Sequence, residues 1–233
     1  MTGARNDALC LREEIDAVVF DMDGLLIDSE RPLRAATLAA AARVGREMDD
    51  AFYASLIGVA TSETWARIAE HLGGAAALDE FRAALDAEIA ARHGEVALMA
   101  GVEALLAHLD EAGLPMAVCT NSRRASAERH LAAAGIRERF RAVVTRDDVV
   151  QGKPHPEPYL RAAGALGVAP ARCLALEDSH NGIRAAHAAG MIAVMVPDLL
   201  PATDDIRALC RHVADDLHAV RGLLATRSGG LEE

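Results

Sequence analysis

Carboxylates and a hydroxyl follow short apolar segments at several places in this sequence. Asp21 and Asp23 come after the first segment, Thr120 closes the second, and Glu177 and Asp178 close a later one. Carboxylates gathered in one place repel one another strongly at reduced dielectric unless a cation lies among them. Mg²⁺ is the oxygen-binding divalent ion usually found beside phosphates. The pattern therefore indicates metal-assisted chemistry on a phosphate-bearing substrate.

The only lysine of the sequence, Lys153, lies in the stretch QGKPHPEPYL, although arginine is common. A compact ammonium on a thin stem reaches into crowded space for which a planar guanidinium is too broad. Ordinary explanations remain open: Lys153 can be a solvated loop charge, Asp-x-Asp-Gly can be a turn, and Thr120, Ser122 or Ser179 can cap helices. A functional site is favoured because four polar clusters follow four successive predicted strands.

The elements that must position these groups alternate between strands and helices. Each predicted strand is apolar throughout, as expected for a strand buried on both faces. Leucine- and alanine-rich helical patterns separate most of them. We therefore predict an α/β fold, a Rossmann-like parallel sheet with helices on both faces, whose carboxyl edge gathers the polar clusters. The predicted strands are residues 16–20, 115–120, 142–145, 173–177 and 192–196.

One interval breaks this alternation, because no strand is predicted between about residues 31 and 99 and four helical patterns fill it. The simplest interpretation is a small α-helical domain, residues 31–100, inserted after the first strand. Residues 1–30 and 101–233 then form the α/β core domain. Extra helices packed on the sheet are the alternative.

Composition excludes several classes of partner. A net charge of −11 without a basic block argues against nucleic acid, and no segment approaches transmembrane length. The N-terminus has no apolar signal region, and the cysteines are far apart with no C-x-x-C pair. We therefore expect reduced thiols, a cytoplasmic location, no membrane partner, and a monomer or weak homodimer.

Four segments, FDMDGLLIDSE, CTNS, GKPHPEPYL and LEDSHNG, resemble in this order the signature motifs of the haloacid dehalogenase-like (HAD) superfamily. The likeness is to its phosphatase and β-phosphoglucomutase-like branch, with a helical cap inserted after the first strand. The resemblance implies that Asp21 is the nucleophile, forming an aspartyl-phosphate, and that Asp23 is the general acid/base. It also implies that Thr120 holds phosphoryl oxygens and that Lys153 bridges them to the nucleophile.

The same resemblance implies an Mg²⁺ site and a substrate-binding region. Asp21, the main-chain carbonyl of Asp23, Asp178, and Glu177 directly or through water would hold the metal. Ser122 and Arg123 match positions that hold a second, non-transferred phosphate in related mutases, although Arg123 can equally be an ordinary residue of the first helical turn. A cap loop, residues 58–61, would dip toward the site. The predicted substrate-binding residues are Asn121, Ser122, Arg123, Gly58 and Thr61.

Departures from the family pattern narrow the activity. A true dehalogenase would not need Asp23, and a phosphonate-cleaving member needs a cap lysine that is missing here. Mutases usually carry a histidine after the first motif and an arginine in the cap loop. Residues 29–33 contain no histidine, and residues 58–61 contain no arginine. The resemblance thus implies an Mg²⁺-dependent phosphatase for a small sugar- or polyol-phosphate-like monoester. A β-phosphoglucomutase-like phosphomutase and a non-catalytic phosphate-binding protein are the alternatives.

Overall fold

The fold was analysed in a computed structural model, which describes residues 11, 15–57, 61–92 and 97–225 of the chain. The strands are β1 (Ala17–Phe20), β2 (Ile27–Asp28), β3 (Ala97–Leu98), β4 (Met116–Cys119), β5 (Ala142–Val144), β6 (Cys173–Glu177), β7 (Ile192–Met195) and β8 (His212–Val213). The α-helices are α1 (Glu30–Arg43), α2 (Asp50–Leu56), α3 (Thr61–Leu72), α4 (Ala75–Ala91), α5 (Val102–Glu111), α6 (Arg124–Ala133), α7 (Glu157–Leu166), α8 (His180–Ala188), α9 (Asp204–Arg207) and α10 (Leu217–Leu224). Short 3₁₀ turns cover Arg137–Arg139, Arg146–Asp148 and Pro170–Arg172.

Within the described residues, six strands form a parallel sheet in the order β5-β4-β1-β6-β7-β8. The central strand is β1, in which Val18 pairs with Met116 of β4 and with Leu174 of β6. The chain runs from β1 to β4 and β5 on one side and then returns across β1 to β6. The strand order therefore reverses beside β1, and open α/β sheets bind ligands at such a point.

Helices cover both faces of this sheet. Ala17 and Val19 of β1 join an apolar cluster that includes buried residues of α7 and α8. Successive side chains of a strand point to opposite faces, so Val18 and Phe20 lie on the other face, and both are fully buried. There the ring of Phe20 meets that of Phe140 edge-on, with centroids 5.8 Å apart. The predicted α/β fold with a parallel, doubly covered sheet is confirmed.

The chain divides into two compact units, one comprising Met1–Ile27 with Leu98–Glu233 and the other comprising Asp28–Ala97. The second unit contains α1 to α4 and has an apolar cluster of its own, which includes Phe81 and Leu85. Trp65 packs against this cluster, and the Arg82 guanidinium lies 4.5 Å from its ring centroid. The domain boundaries expected near residues 30 and 100 stay a prediction. No helix in the described ranges is long and apolar enough to span a membrane.

Three short strands differ from the sequence prediction. The interval expected to contain no strand ends in β3, which pairs with β2 in a separate two-stranded sheet. That expectation is therefore wrong at Ala97–Leu98. The edge strand β8 extends the main sheet and was not predicted either. Each of these strands has two residues, too few for any alternation or apolar run to reveal it.

Candidate active site

The carboxyl ends of three neighbouring strands bring the predicted site residues together. Asp21 follows β1, and its N–H donates to the carbonyl of Leu176 on β6 at 2.9 Å. Thr120 follows β4, and its N–H donates to the carbonyl of Val144 on β5 at 2.9 Å. Glu177 is the last residue of β6. The main chain beside these side chains is thus held by the hydrogen bonds of the sheet.

Lys153 reaches into this site from the loop before α7. Its ammonium contacts carboxylate oxygens of Asp21 and Glu177, and its side chain is only 3% exposed. Burial alone would lower the pKa of Lys153, but the charges of Asp21 and Glu177 outweigh burial and raise that pKa well above its ordinary value. Lys153 is therefore a buried, charged member of the site and not a solvated loop residue.

Glu177 is fully buried, and protein donors engage both of its oxygens. Oε1 accepts from Lys153 and, at 2.9 Å, from the hydroxyl of Tyr159. Oε2 accepts from the N–H of Ser179 at 3.0 Å and from its hydroxyl at 2.9 Å. A Cβ on Gly182 would lie 1.7 Å from Oε1, so the first turn of α8 packs directly against this carboxylate.

A cluster of three acidic side chains lies at the same edge. Asp21, Glu177 and Asp178 each offer an oxygen, and these oxygens all lie within 4.8 Å of one another. Burial raises the pKa of Asp21 to about 8, with Glu177 and Asp23 adding to the effect and Lys153 opposing it. Burial, followed by the charges of Asp21 and Glu177, also raises the pKa of Asp178 well above its ordinary value. These carboxylates repel one another when all of them are ionised, and a bound cation would offset that repulsion. Their clustered oxygens are the ligands that a hard divalent cation prefers.

Gly24 allows the main chain after β1 to approach this cluster. Its φ is +83°, and a Cβ there would lie 2.5 Å from Oδ2 of Asp178. Any other residue would therefore be strained in its backbone and would collide with Asp178. The glycine of the Asp-x-Asp-Gly motif is required for the turn, and its missing side chain leaves room for the carboxylate of Asp178, a predicted metal ligand.

Asp23 points its carboxylate at hydroxyl groups. Its Oδ2 accepts from the hydroxyl of Ser122 at 2.7 Å and from that of Thr120 at 3.2 Å. Thr120 and Ser122 do not cap a helix, because α6 begins at Arg124 with Arg123 in the N-cap position. These hydroxyls orient the predicted acid/base instead.

Ser179 does cap a helix, as its ordinary explanation allowed. Its hydroxyl accepts the N–H of Gly182 at 3.0 Å, in the first turn of α8. The same hydroxyl donates to Glu177. The cap therefore also links α8 to the acidic cluster.

The predicted substrate-binding residues have different surroundings. Asn121 bonds to the backbone of Lys153, with its Oδ1 3.0 Å from the lysine N–H. Arg123 extends outward with its side chain 85% exposed, 3.9 Å from a carboxylate oxygen of Asp147. Gly58 lies outside the described residues; Thr61 begins α3, and its side chain is not among those described. Roles in substrate binding stay predictions.

Tyr159 was missed by sequence reasoning, although it lies in the quoted stretch around Lys153. It is fully buried on α7, its hydroxyl donates to Glu177, and its ring centroid lies 5.0 Å from the Lys153 ammonium. A buried tyrosine hydroxyl usually needs a hydrogen-bond partner. Its position six residues after the lysine, on the inner face of a helix that follows, was the available signal.

Comparisons with known proteins agree with this geometry. A model of the haloacid dehalogenase-like hydrolase family matches residues 15–190. The chain is 37% identical over 187 residues to the fructose-1-phosphate phosphatase YqaB of Escherichia coli, covering 79% of this chain and 97% of that protein. It is 30% identical over 190 residues to a bifunctional riboflavin kinase/FMN phosphatase of Arabidopsis thaliana, covering 81% of this chain but only 50% of the relative. A candidate β-phosphoglucomutase of Thermotoga maritima superposes with a TM-score of 0.80 at 25% identity, over 90% of this chain and 98% of that one.

Proposed function

The chain belongs to the haloacid dehalogenase-like hydrolase family, and we propose that it is an Mg²⁺-dependent phosphatase acting through an aspartyl-phosphate on Asp21. Its relatives make it a phosphoric monoester hydrolase; the metal, the intermediate and the substrate class are the proposal. The observation that supports it best is the pairing of Asp21 with the buried Lys153 beside an acidic cluster of Asp21, Glu177 and Asp178. Nucleophile, charge neutralisation and metal ligands then share one sheet edge.

The chemistry assigns one task to each of the central residues. An oxygen of Asp21 attacks phosphorus, the bond from phosphorus to the ester oxygen breaks, and Asp23 gives that oxygen a proton. Water then attacks the phosphorus of the aspartyl-phosphate while Asp23 takes up the water proton. The bond from phosphorus to Asp21 breaks, and inorganic phosphate leaves. Thr120 and Ser122 hold the Asp23 carboxylate for both proton transfers.

Mg²⁺ would be held by Asp21, Asp178 and the main-chain carbonyl of Asp23, with Glu177 taking part through its charge or through water. The donor set supports this, because the clustered oxygens belong to buried carboxylates with raised pKa values. When bound, the cation supplies positive charge that offsets repulsion between these carboxylates and a phosphoryl group. Lys153 supplies part of this charge from the protein itself.

A small sugar- or polyol-phosphate-like monoester is the substrate class that we propose. The relative from Escherichia coli is named for fructose 1-phosphate, and the match covers nearly all of that protein. We further propose that the helical unit Asp28–Ala97 is a cap that selects the ester, and that the enzyme works in the cytoplasm on small molecules without a nucleic-acid or membrane partner.

A phosphomutase is the second candidate, favoured by the superposition on the candidate β-phosphoglucomutase. Residues 29–33 lack the histidine, and the cap loop at residues 58–61 lacks the arginine, that usually accompany mutase activity. The two activities differ in product, because a phosphatase releases phosphate whereas a mutase returns an isomerised hexose phosphate.

The test is a panel of small phosphate esters assayed for free phosphate, with Mg²⁺ and with EDTA. We expect Mg²⁺-dependent release, fastest with sugar or polyol phosphates. Isomerisation of a hexose phosphate after addition of a bisphosphate primer, without net release, would establish the mutase instead. No turnover under either condition would leave a phosphate-binding protein on this scaffold.

A further inference from the structure

Asn121 holds the main chain of Lys153 by both of its polar groups. Its Oδ1 accepts the N–H of Lys153 at 3.0 Å, and its Nδ2 donates to the carbonyl of Lys153 at 3.4 Å. Asn121 follows β4, whereas Lys153 lies in the loop before α7. One side chain therefore ties two segments of the site together across 32 positions of sequence.

The residue before the lysine, Gly152, lies close to the side chain of Asn121. A Cβ on Gly152 would lie 2.7 Å from Oδ1 of Asn121 and 3.2 Å from Cδ of Arg146. Contacts under 3.0 Å require something to move, so a side chain at position 152 would push against the asparagine amide. The loop thus accommodates Asn121 by having no side chain at this point.

Fixing the main chain matters because the lysine side chain is long. An ammonium on a four-carbon stem has many rotamers, and its position depends on where the stem begins. The Lys153 ammonium contacts Asp21 and Glu177 at one end, while the Asn121 amide holds the peptide units at the other. Both of these hydrogen bonds join the Asn121 amide to the main chain of Lys153, and Asn121 itself is exposed.

We propose that Asn121 is a positioning residue that acts through Lys153, and not a substrate-binding residue. It sets the origin of the lysine side chain so that the ammonium meets Asp21. The kinetic consequence rests on the proposed phosphatase function, whereas the effect on the lysine does not. Two separate measurements therefore follow.

The first measurement uses the fact that Lys153 is the only lysine. An amine-specific reagent followed by peptide mass spectrometry reports its accessibility without interference from other side chains. We expect Asn121→Ala to label at Lys153 about tenfold faster than the wild type. Asn181→Ala is the matched control, because Asn181 is an exposed asparagine in the first turn of α8, and it should label at the wild-type rate. Circular dichroism confirms that the variants are folded.

The second measurement separates positioning from substrate binding. With the best ester of the panel, Asn121→Ala should lower kcat about 10- to 100-fold and leave KM nearly unchanged, as a misplaced catalytic group does. Asn121→Asp keeps an acceptor for the Lys153 N–H and should recover part of kcat. A raised KM at unchanged kcat, together with wild-type labelling of Lys153, would overturn the proposal.

Gly152→Ala provides an independent variant in case Asn121→Ala does not fold. We expect it to speed labelling of Lys153, because the new Cβ displaces the Asn121 amide. In the Asn121→Ala background the same substitution should have little further effect, since the colliding oxygen is gone. Equal effects in both backgrounds would contradict the coupling between Gly152 and Asn121.

If the wild type hydrolyses no ester, the labelling results still decide this inference, so its failure is distinguishable from failure of the proposed function.

Discussion

Glu177 shows how much one side chain contributes to this site. Its carboxylate is fully buried and accepts hydrogen bonds from Lys153, Tyr159 and Ser179. A buried charge is tolerated only when it is paired and its lone pairs are occupied, and both conditions hold here. The same residue compensates the charge of Lys153 and caps the main chain leading into α8. One buried carboxylate therefore both pairs with Lys153 and fixes the main chain at the start of α8.

Replacing Glu177 by Gln should destabilise the metal-free protein by about 3–5 kcal/mol, the range for breaking a buried ion pair. The amide would leave Lys153 with Asp21 as its remaining carboxylate partner and would point a donor toward the Ser179 N–H. Urea unfolding in EDTA measures the change, with Glu111→Gln, an exposed residue of α5, as the control. Equal stability of the two variants would contradict this role for Glu177.

Binding of Mg²⁺ should depend on pH through Asp21. Burial raises the pKa of this carboxyl to about 8 in the metal-free protein, so below that pH it carries a proton that a cation must displace. The affinity for Mg²⁺ should therefore fall as the pH falls, by about tenfold per pH unit for one displaced proton. Calorimetry in buffers of different ionisation enthalpy measures both the affinity and the proton released. A dissociation constant independent of pH, with no proton release, would be the contrary result.

Some site residues could be predicted from sequence and others could not, for a physical reason. Asp21, Thr120 and Glu177 lie at strand ends, and strand ends converge in any parallel α/β sheet. The bonds from Asn121 to Lys153 and from Tyr159 to Glu177 join positions 32 and 18 residues apart, and they depend on how a loop and a helix pack. No local pattern encodes such contacts.

At the scale of elements, the first turn of α8 packs directly against Glu177. Helix propensity alone favours Ala over Gly inside a helix by about 1 kcal/mol. At Gly182, however, a Cβ would lie 1.7 Å from Oε1 of Glu177, so packing opposes propensity at this position. Gly164 in α7 offers the opposite case, because a Cβ there would meet nothing within 4 Å.

We therefore expect Gly182→Ala to destabilise the protein by at least about 2 kcal/mol through overpacking. The matched variant Gly164→Ala should stabilise it by about 0.5–1 kcal/mol. Urea unfolding of both variants measures the difference. If both substitutions stabilise the protein, the close packing of α8 on Glu177 is incorrect.

The strands show the same limit of sequence reasoning. Continuous apolar runs predicted five strands of the main sheet, including the three that carry the site, because burial on both faces leaves a clear signal. The two-residue strands β2, β3 and β8 owe their conformation to a pairing partner and leave no such signal. The length of a strand therefore determined whether it could be predicted from the sequence.

At the scale of the whole molecule, two units have separate apolar cores. In the first unit the N–H of Met99 donates to the carbonyl of Leu26 at 3.1 Å, so the two ends at which the second unit is inserted lie side by side. The first unit also contains Asp21, Lys153 and the acidic cluster. We expect it to fold by itself when those ends are joined.

Replacing residues 28–97 by a short glycine-serine linker should give a protein that unfolds cooperatively in urea and still hydrolyses a small ester. Its preference among esters should be lost, because we propose that the deleted unit selects them. The same deletion with Asp21→Asn is the control for residual activity. Non-cooperative unfolding would show that the first unit depends on the second, and unchanged preference would remove the selective role.

Trapping of the phosphoryl group on Asp21 tests the central proposal most directly. The preferred ester, labelled with ³²P, is mixed with enzyme and Mg²⁺, quenched in acid, and the protein is digested and mapped. We expect label on the peptide containing Asp21 in the wild type and in Asp79→Asn, an exposed aspartate of α4 changed in the same way. We expect no label in Asp21→Asn. Label on another residue, or turnover by Asp21→Asn at the wild-type rate, would contradict it.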